Sequence, residues 1–385
     1  MSSLFGLIDR IRKSSNPPGA KPSPGSKPLK FGVLGAADIA PTALIVPVKS
    51  HPEAVVYAIA ARNKDKAAAF ARKHGIAKVF GGVNGYQELL DDPEIDAIYN
   101  PLPNGLHYEW TMKALAAGKH VLLEKPSSNT AADTRRMFEF AESRNLVLLE
   151  AYHSRFHPAV LRVKAIIDSG ELGAVKSTST GLALPRGMIK SAADNIRFDF
   201  KLGGGALMDM GSYAINAMRY FTAANPTSVV SVDHELKSPK IDRKTVASFS
   251  LPNSVTSTIF CDLEEPPSLG FIPAMPNLNA IIKCEKGEIK GAKSQLFDNS
   301  QLMNYVAPTQ YHAITVKIGN KNRTEKAYTL PDLGEPWWTS YRYQLEAFPH
   351  AWVMPEESVR TMEVIESVYV KGGLGSRPGS DYVHH

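Results

Sequence analysis

The sequence predicts an α/β fold in which a doubly wound parallel sheet is followed by an α+β domain with an open, mostly antiparallel sheet. Between residues 29 and 150, six apolar strand-like runs alternate with helical stretches, which is typical of parallel strands joined by right-handed crossovers. After about residue 152, strand-like runs follow one another with few intervening helices, a pattern typical of an antiparallel sheet. We therefore expect a leader at 1–29, a first domain at 30–151 and a second domain at 152–385.

The leader is basic and rich in proline. Residues 1–30 carry six basic side chains and one acid, which accounts for +5 of the net charge of +6. Residues 14–29 contain five prolines, as extended linkers do. The leader is therefore expected to be either a flexible segment or an arm that packs on a partner subunit.

Composition also limits the function classes. The body of the chain is nearly neutral, which argues against nucleic-acid binding, and no apolar run reaches the ~18 residues of a membrane span. Cys261 and Cys284 lie in apolar runs and are read as buried free thiols. The N-terminal residues do not resemble a signal peptide, so we expect a cytoplasmic protein without a membrane or nucleic-acid partner.

The individual elements follow from apolar periodicity and from turn residues. Strands of the first domain are predicted at Leu29–Leu34, Ala54–Ala61, Lys78–Phe80, Ala97–Asn100, His120–Leu123 and Leu146–Glu150. Its clearest helices are Lys64–His74, between a possible N-cap at Asn63 and Gly75, and Leu106–Ala117. Strands of the second domain are predicted at Val175–Leu184, Ser228–His234, Thr245–Leu251, Val255–Leu263, Leu278–Cys284, Ala313–Ile318 and Thr324–Leu330. Its helices are predicted at Ala206–Phe221, Thr339–Phe348 and Glu356–Val370.

The first strand runs into a turn of the dinucleotide-binding type, Gly35-x-Ala37-x-x-Ala40. The glycine permits a tight turn, and the small residue after it lets the backbone approach a pyrophosphate at the helix N-terminus. Two alanines stand where the fingerprint has glycine, so an ordinary strand–helix turn remains the alternative. In the context of six alternating strands we predict a Rossmann domain, with Gly35, Ala36, Ala37 and Ile39 at the cofactor.

The end of the second strand indicates which dinucleotide binds. The sequence there is Ala61-Arg62-Asn63-Lys64, without the acid that would accept the ribose hydroxyls of NAD. Arg62, Asn63 and Lys66 offer positive charge and donors, which suit a 2′-phosphate. NADP is therefore the predicted cofactor.

Three segments carry a more specific resemblance. They are YNPLPNGLHYEWTMKALAAGKHVLLEKP (99–126), LLEAYHSRFHP (148–158) and GGGALMDMGSYAINAMRY (203–220). Together they resemble the glucose–fructose oxidoreductase, inositol dehydrogenase and dimeric dihydrodiol dehydrogenase family, over about residues 30 to 375. The resemblance implies an NADP-dependent enzyme acting on CH–OH donors, and we expect a homo-oligomer, formed as a dimer through the open sheet.

The strand ends predict where the chemistry occurs. Asn100 and the pair Glu124-Lys125 follow the fourth and fifth strands, at the edge of a parallel sheet where ligands bind. The resemblance implies that Lys125 touches both the substrate hydroxyl and the nicotinamide ribose. The remaining cofactor contacts are expected from Asn100, Leu102, Asn104, His107 and Glu124.

A second set of candidate residues lies after three consecutive glycines. Asp209 and Tyr213 are four residues apart and share one helix face. We expect Lys125 to lower the pKa of Tyr213, so that Tyr213 removes the substrate proton and Lys125 stabilises the oxyanion. Asp209 would bind a sugar hydroxyl or orient Lys125. The substrate contacts are expected from Lys125, His153, Arg197, Asp209 and Tyr213, with no metal.

The predicted reaction is oxidation of the anomeric C1 hydroxyl of an aldose, of the D-xylose or D-glucose type, to an aldonolactone. The alternatives are a glucose–fructose-type transhydrogenase that retains NADP, a trans-dihydrodiol dehydrogenase, and a non-catalytic dinucleotide-sensing regulator. The presence of Lys125, Asp209 and Tyr213 together favours a catalyst.

Overall fold

The computed structural model describes residues 4–21, 25–189, 195–267, 276–293, 301–302, 309, 312–350 and 354–384. Six strands form a first sheet: β1 (Leu29–Leu34), β2 (Ala54–Ala61), β3 (Lys78–Gly81), β4 (Ala97–Asn100), β5 (His120–Leu123) and β6 (Leu148–Glu150). All neighbours are parallel, in the order β3-β2-β1-β4-β5-β6. The strand order reverses between β1 and β4, which is the doubly wound arrangement predicted from the sequence.

Helices alternate with these strands. They are α1 (Leu4–Ser15), α2 (Val46–Lys49), α3 (Lys64–His74), α4 (Gly85–Leu90), α5 (His107–Ala116) and α6 (Ala131–Ser143). The predicted caps of α3 are confirmed: Asn63 accepts a hydrogen bond from the amide of Lys66 at 2.8 Å, and Gly75 is left-handed with φ +69°. A five-residue π-helical turn, Pro41–Ile45, precedes α2.

The first sheet is buried on both faces. Phe31, Val33 and Leu122 pack into one cluster of buried side chains, and Ile98 and Val121 pack into the cluster on the opposite face. A strand buried on both sides reads as a continuous apolar run. The middle of these strands is apolar, and the polar candidate residues Asn100 and Glu124 stand where β4 and β5 end, at the carboxyl edge of the sheet.

Nine strands form the second sheet: β7 (Val175–Pro185), β8 (Ser228–Ser238), β9 (Ile241–Ser250), β10 (Thr256–Glu265), β11 (Asn277–Cys284), β12 (Gly287–Lys293), β13 (Gln301–Leu302), β14 (Ile314–Ile318) and β15 (Lys321–Glu325). Their order is β15-β14-β12-β11-β7-β10-β9-β8, with β13 beside β12. Every pairing is antiparallel except that of β7 with β10. The helices of this half are α7 (Pro158–Asp168), α8 (Ser212–Thr222), α9 (Ser340–Ala347) and α10 (Pro355–Lys371). The predicted α+β domain with a mostly antiparallel sheet is confirmed.

Local predictions differ from the structure at several elements, among them β9, which begins at Ile241 and not at the predicted Thr245. Strand β12 was not predicted, because its sequence GEIKGAK combines two glycines with charged residues of low strand propensity. The predicted strand Thr324–Leu330 is wrong in its bounds: Gly319 and Asn320 form a two-residue turn, so β15 begins at Lys321. The predicted helix Ala206–Phe221 begins instead as a π-helical turn, Leu207–Gly211, before α8.

Both ends of the described chain pack on its body. Helix α1 contacts the second half through Arg10, whose Nε donates to the carbonyl of Thr309 at 3.2 Å and whose guanidinium lies 4.1 Å from the ring of Tyr328. The C-terminal strap, defined as residues 372–384, leaves α10 and returns to the first sheet. There Ser380 donates its amide hydrogen to Asp133 of α6 at 3.0 Å.

Candidate active site

A cleft of about 480 Å³ lies between the two sheets and is lined from both. The predicted residues that line it are Ile39, Leu102, Asn104, His107, Glu124, Lys125, His153, Arg197, Asp209 and Tyr213. The carboxyl edge of the first sheet thus faces the glycine-rich segment that precedes α8. Residues predicted separately from strand ends and from helix spacing meet in one place.

Besides the buried Asn100, six predicted cofactor residues, Gly35, Ala36, Ala37, Arg62, Asn63 and Lys66, are not among the residues lining this cleft. They lie at the ends of β1 and β2. Arg62, Asn63 and Lys66 are exposed, and the side chain of Asn63 is used to cap α3. An exposed basic group beside an open strand end is accessible to a phosphate from solvent.

The turn after β1 has the geometry that a dinucleotide requires. Gly35 is left-handed with φ +88°, and a Cβ atom there would lie 3.2 Å from Cδ2 of Leu102. The turn is therefore closed to a larger residue, and the backbone can lie against a ligand. Together with the charge of Arg62, this turn fits a phosphorylated dinucleotide.

Asn100 lies behind the cleft and fixes the neighbouring chain through hydrogen bonds. It is fully buried, its amide nitrogen donates to Thr111 at 3.1 Å, and its oxygen accepts from the amide of Leu102 at 3.3 Å. His107 lies between the carbonyls of Leu102 and Pro126, at 2.6 and 2.9 Å. Burial lowers the pKa of His107 to about 4, so the ring is neutral and can donate to only one of them.

Lys125 joins the two halves of the site. Its ammonium donates to the carboxylate of Asp209 at 2.7 Å and to the backbone carbonyl of Asp209 at 2.8 Å. The second carboxylate oxygen of Asp209 accepts from Nε of Arg197 at 2.5 Å. Although burial alone would raise the pKa of Asp209, the charges of Lys125 and Arg197 lower it well below its usual range. Both carboxylate oxygens of Asp209 are thus paired with cations. Of the two predicted roles of Asp209, this arrangement favours orientation of Lys125 over binding of a sugar hydroxyl.

The predicted lowering of the Tyr213 pKa is wrong for this structure. Burial raises the pKa of Tyr213 well above its usual value, and the neighbouring Tyr341, Glu124 and Asp209 add to the rise. The ammonium of Lys125 lies 4.6 Å from the centre of the Tyr213 ring. Its charge is already paired with Asp209, so the lysine approaches the ring face rather than stabilising a phenolate.

His153 lies behind Tyr213 and is 2% exposed. Its Nε2 is 3.0 Å from the Tyr213 hydroxyl and its Nδ1 is 2.7 Å from the Ser340 hydroxyl. Burial, and then the charge of Lys125, lower the pKa of His153 to about 3, so the ring is neutral. Since both ring nitrogens already have partners, the geometry disfavours its expected role as a ligand of the sugar.

The sequence reasoning missed several lining residues. Tyr341 stacks on the ring of His153 with centroids 3.8 Å apart, and it lines the cleft beside Ser340. Leu182, Leu184 and Met210 supply an apolar wall. Tyr341 lies in the predicted helix Thr339–Phe348, where a tyrosine is most simply interpreted as a packing residue. The leucines look like ordinary strand residues and carry no signal.

The described part of the chain lacks two features. No helix there combines the length and the apolar character needed to cross a membrane. No group of three or more His, Cys, Asp or Glu side chains is placed there to hold a metal ion.

Comparison with known proteins gives two family matches. Residues 29–152 match the model described as an oxidoreductase family with an NAD-binding Rossmann fold, and residues 160–290 match a GFO/IDH/MocA C-terminal domain. The chain is 30% identical over 355 residues to a D-xylose 1-dehydrogenase (NADP(+)) 2 of Haloferax volcanii, covering 90% of this chain and 98% of that enzyme.

Two further similar proteins are reductases. A dTDP-3,4-didehydro-2,6-dideoxy-alpha-D-glucose 3-reductase of Saccharopolyspora spinosa is 38% identical over 216 residues, which is 56% of this chain and 63% of that enzyme. A 3-ketoreductase from Actinomadura kijaniata, solved in complex with NADP and TDP-benzene, superimposes with a TM-score of 0.74 at 25% identity. That alignment covers 90% of this chain and 98% of the reductase.

Proposed function

The chain belongs to the GFO/IDH/MocA family of oxidoreductases, and from this premise we propose that it is an NADP-dependent dehydrogenase that oxidises the C1 hydroxyl of an aldose to an aldonolactone. The observation that carries the proposal is the meeting of Lys125, Asp209 and Tyr213 in the cleft. The relative that spans nearly the whole chain is a D-xylose 1-dehydrogenase (NADP(+)). This match supports a sugar oxidoreductase, and the C1 hydroxyl of an aldose is the group that we propose it oxidises.

NADP would be held along the carboxyl edge of the first sheet. Its diphosphate would lie against the turn at Gly35, where the left-handed glycine keeps the backbone accessible. Arg62 at the end of β2 would bind the 2′-phosphate. Glu124 and His107 would line the site near the nicotinamide, since both contribute to the cleft. When bound, the cofactor supplies the hydride acceptor, and the remaining chemistry falls to side chains.

Lys125 is proposed to donate a hydrogen bond to the reacting oxygen. Asp209 fixes the ammonium from one side at 2.7 Å, and Arg197 holds Asp209 ionised from the other. A fixed cation stabilises the negative charge that develops on the oxygen as its proton leaves. Asp209 is therefore assigned the role of orienting Lys125.

Tyr213 is proposed to accept the substrate proton. Because its own pKa is raised by burial, a free phenolate is not the starting state, and its hydroxyl proton must move as the substrate proton arrives. The neighbouring neutral imidazole of His153 offers an acceptor at 3.0 Å. The proton would thus pass from the sugar hydroxyl to Oη of Tyr213, while the Tyr213 proton shifts toward Nε2 of His153.

The cleft wall also supports an alternative substrate class. Leu182, Leu184 and Met210 give one side of the cleft an apolar surface, which suits a sugar poor in hydroxyls or the ring of a trans-dihydrodiol. Relatives include a reductase of a 2,6-dideoxy sugar and a trans-1,2-dihydrobenzene-1,2-diol dehydrogenase of Xenopus tropicalis. The apolar wall does not bear on the NADP-retaining transhydrogenase or on the non-catalytic regulator.

A dimer through the open sheet is also proposed. One face of the second sheet is covered by α8, as shown by the bond from Thr180 to the carbonyl of Ala214 at 2.9 Å. The opposite face carries the exposed residues Ser179 and Thr256 beside the half-buried Phe260. Sedimentation at several protein concentrations, with charged substitutions at Ser179, tests this assembly.

The enzyme assignment is tested by measuring reduction of NADP and of NAD with a panel of aldoses, polyols and dihydrodiols. The panel should include D-xylose, D-glucose and 6-deoxy-D-glucose. D-Glucose and 6-deoxy-D-glucose differ by one hydroxyl group. An apolar wall can favour the sugar that lacks this hydroxyl by up to about a hundredfold in kcat/KM. Reduction with aldoses and formation of a lactone supports the proposal. Tight dinucleotide binding without turnover on any member would replace it with the regulator.

A further inference from the structure

A buried ion pair lies directly behind the wall of the cleft that is formed by Gly203–Gly205. Arg377 of the C-terminal strap donates from Nη2 to Oδ1 of Asp242 in β9 at 3.1 Å, and both side chains are fully buried. Arg377 also donates from Nε to the carbonyl of Gly204 at 2.9 Å. Neither charged residue lines the cleft, so any effect on chemistry must pass through the wall.

Asp242 connects this pair to the segment that presents Asp209. Its Oδ2 accepts from the amide of Leu207 at 2.8 Å, and its Oδ1 accepts from the Tyr369 hydroxyl at 2.8 Å. Leu207 is the first residue of the π-helical turn that contains Asp209. The carboxylate thus fixes the start of the turn whose side chain orients Lys125.

Gly205 packs on the ion pair, and Gly204 packs on the backbone of Arg197, without free space for a side chain. A Cβ atom at Gly205 would lie 2.3 Å from Oδ1 of Asp242 and 2.6 Å from Nη2 of Arg377, and one at Gly204 would lie 2.6 Å from the carbonyl of Arg197. Displacement of the ion pair would therefore move the wall. This contact explains why glycine is needed here: the backbone must approach a buried arginine on one side and the cleft on the other.

The strap continues from Arg377 to the first domain. The amide of Asn129 donates to the carbonyl of Pro378 at 2.9 Å, and Asn129 lies four residues after Lys125. Further along, Tyr382 packs against Tyr108 of α5 with ring centroids 6.4 Å apart. The strap therefore contacts the wall of the cleft through Gly204, and it is anchored to the first domain at Asn129, close to Lys125.

We propose that Arg377 is a positioning residue of the active site, which holds Gly203–Gly205 and, through Asp242, the turn that carries Asp209. The proposal rests on the proposed function for its kinetic consequence. It predicts that the strap sets the distance between Asp209 and Lys125. Loss of the hydrogen bonds of Arg377 should therefore lower kcat, while binding of the 2′-phosphate of NADP should be unaffected.

Arg377→Lys is the first test, because an ammonium keeps the charge but loses the fork that reaches Gly204 and Asp242 at once. We expect kcat to fall by about ten- to a hundredfold, as a misplacement of up to about 1 Å can cause, with little change in the dissociation constant for NADP. The matched control is Arg219→Lys, a comparably buried arginine that bonds Asn225 and Thr361 outside the cleft. It should lower thermal stability but not kcat.

Hydrogen–deuterium exchange gives a readout that needs no substrate. Peptides spanning residues 200–212 should exchange faster in Arg377→Lys and at the wild-type rate in Arg219→Lys. This measurement separates failure of the positioning role from failure of the assigned enzyme activity. Unchanged exchange in a folded Arg377→Lys protein overturns the proposal, as does an equal loss of kcat in both lysine variants.

A second variant avoids leaving a lone buried carboxylate. The double change Asp242→Asn with Arg377→Met removes both charges, and replacement of a buried pair by uncharged groups is often neutral for folding. We expect a folded protein with reduced kcat and faster exchange at 200–212. A folded double variant with wild-type kcat and wild-type exchange would show that the pair contributes only stability.

Discussion

The hydroxyl of Tyr213 lies 3.0 Å from Nε2 of His153, and both side chains are buried. His153 in turn contacts Ser340 through Nδ1 at 2.7 Å. A neutral imidazole has one donor and one acceptor nitrogen. When Nδ1 donates to Ser340, Nε2 accepts from Tyr213, and the lone pairs of the tyrosine oxygen are left for the substrate hydroxyl.

His153→Phe tests whether the histidine acts through Tyr213 or binds the sugar directly. The phenyl ring preserves the stacking on Tyr341, now at 3.8 Å, but removes both ring nitrogens. If His153 acts through Tyr213, kcat should fall by about tenfold or more with KM for the sugar nearly unchanged. A rise in KM at constant kcat would instead make His153 a ligand of the substrate.

Tyr213→Phe should abolish most turnover while NADP still binds. General acid–base groups contribute about 10²- to 10⁴-fold to rate, and the tyrosine side chain is the one that bridges the cleft and His153. The control is Tyr220→Phe on the same helix, since Tyr220 packs against Arg155 at 4.7 Å and is not a lining residue. Near-normal turnover in Tyr213→Phe would move the proton acceptor to another group.

Lys125→Met should also reduce turnover, and its effect should not add to that of Tyr213→Phe. Both residues act on one substrate oxygen, so the double variant should be about as slow as the worse single variant. Because burial raises the pKa of Tyr213, the residual rate of Lys125→Met should show no phenol titration near neutral pH. Additive losses in stopped-flow measurements of the hydride step would separate the two residues.

Arg62→Asp should change the cofactor preference. The substitution places a negative charge near the 2′-phosphate and supplies an acceptor for the ribose hydroxyls of NAD. A charge-assisted hydrogen bond contributes ~1.5–3 kcal/mol, so the ratio of kcat/KM for NADP over NAD should fall by roughly ten- to a hundredfold. Arg72→Asp, at an exposed position in the last turn of α3, should leave the ratio unchanged. An unaltered ratio in Arg62→Asp would place the phosphate elsewhere.

The first sheet could be predicted because each of its strands obeys local rules. A strand buried on both faces is continuously apolar, and it ends where the polar functional residues begin, as at Asn100 and Glu124. Strand β12 could not be predicted in the same way. Its residues are held by register with β14, from Gly287 opposite Ile318 to Gly291 opposite Ile314, and this tertiary pairing outweighs their poor propensity.

In the candidate site, too, some residues could be predicted from the sequence and others depend on tertiary contacts. Lys125, Asp209 and Tyr213 were identifiable because they occupy strand-end and helix positions with chemical side chains. The direction of the Tyr213 pKa was not predictable, since it depends on burial and on Asp209 taking the charge of Lys125. Arg377 was missed because its partner Asp242 is 135 residues away in sequence, and no local pattern relates them.

Glu150 gives the protein a predictable dependence of stability on pH. It is fully buried at the end of β6 and accepts a hydrogen bond from the amide of Ser127 at 2.6 Å. Burial raises the pKa of its carboxyl from 4.5 to about 7, with hydrogen bonds from Ser358 and Ser127 offsetting part of the rise. The folded protein therefore binds this proton more tightly than the unfolded chain does.

Because the folded pKa is the higher one, the contribution of Glu150 to stability is fully present below its unfolded pKa and is lost as pH rises toward about 7. Glu150→Gln removes this titration while keeping an oxygen that can accept from Ser127. Relative to wild type, the variant should gain free energy of unfolding between pH 5 and 8, by up to roughly 3 kcal/mol for a shift of this size.

The measurement is denaturant unfolding across that range, with Glu142→Gln as an exposed control on the preceding segment. A difference between Glu150→Gln and wild type that does not vary with pH would mean that Glu150 is ionised in the folded protein throughout, and that its bond to Ser127 outweighs the cost of burying its charge.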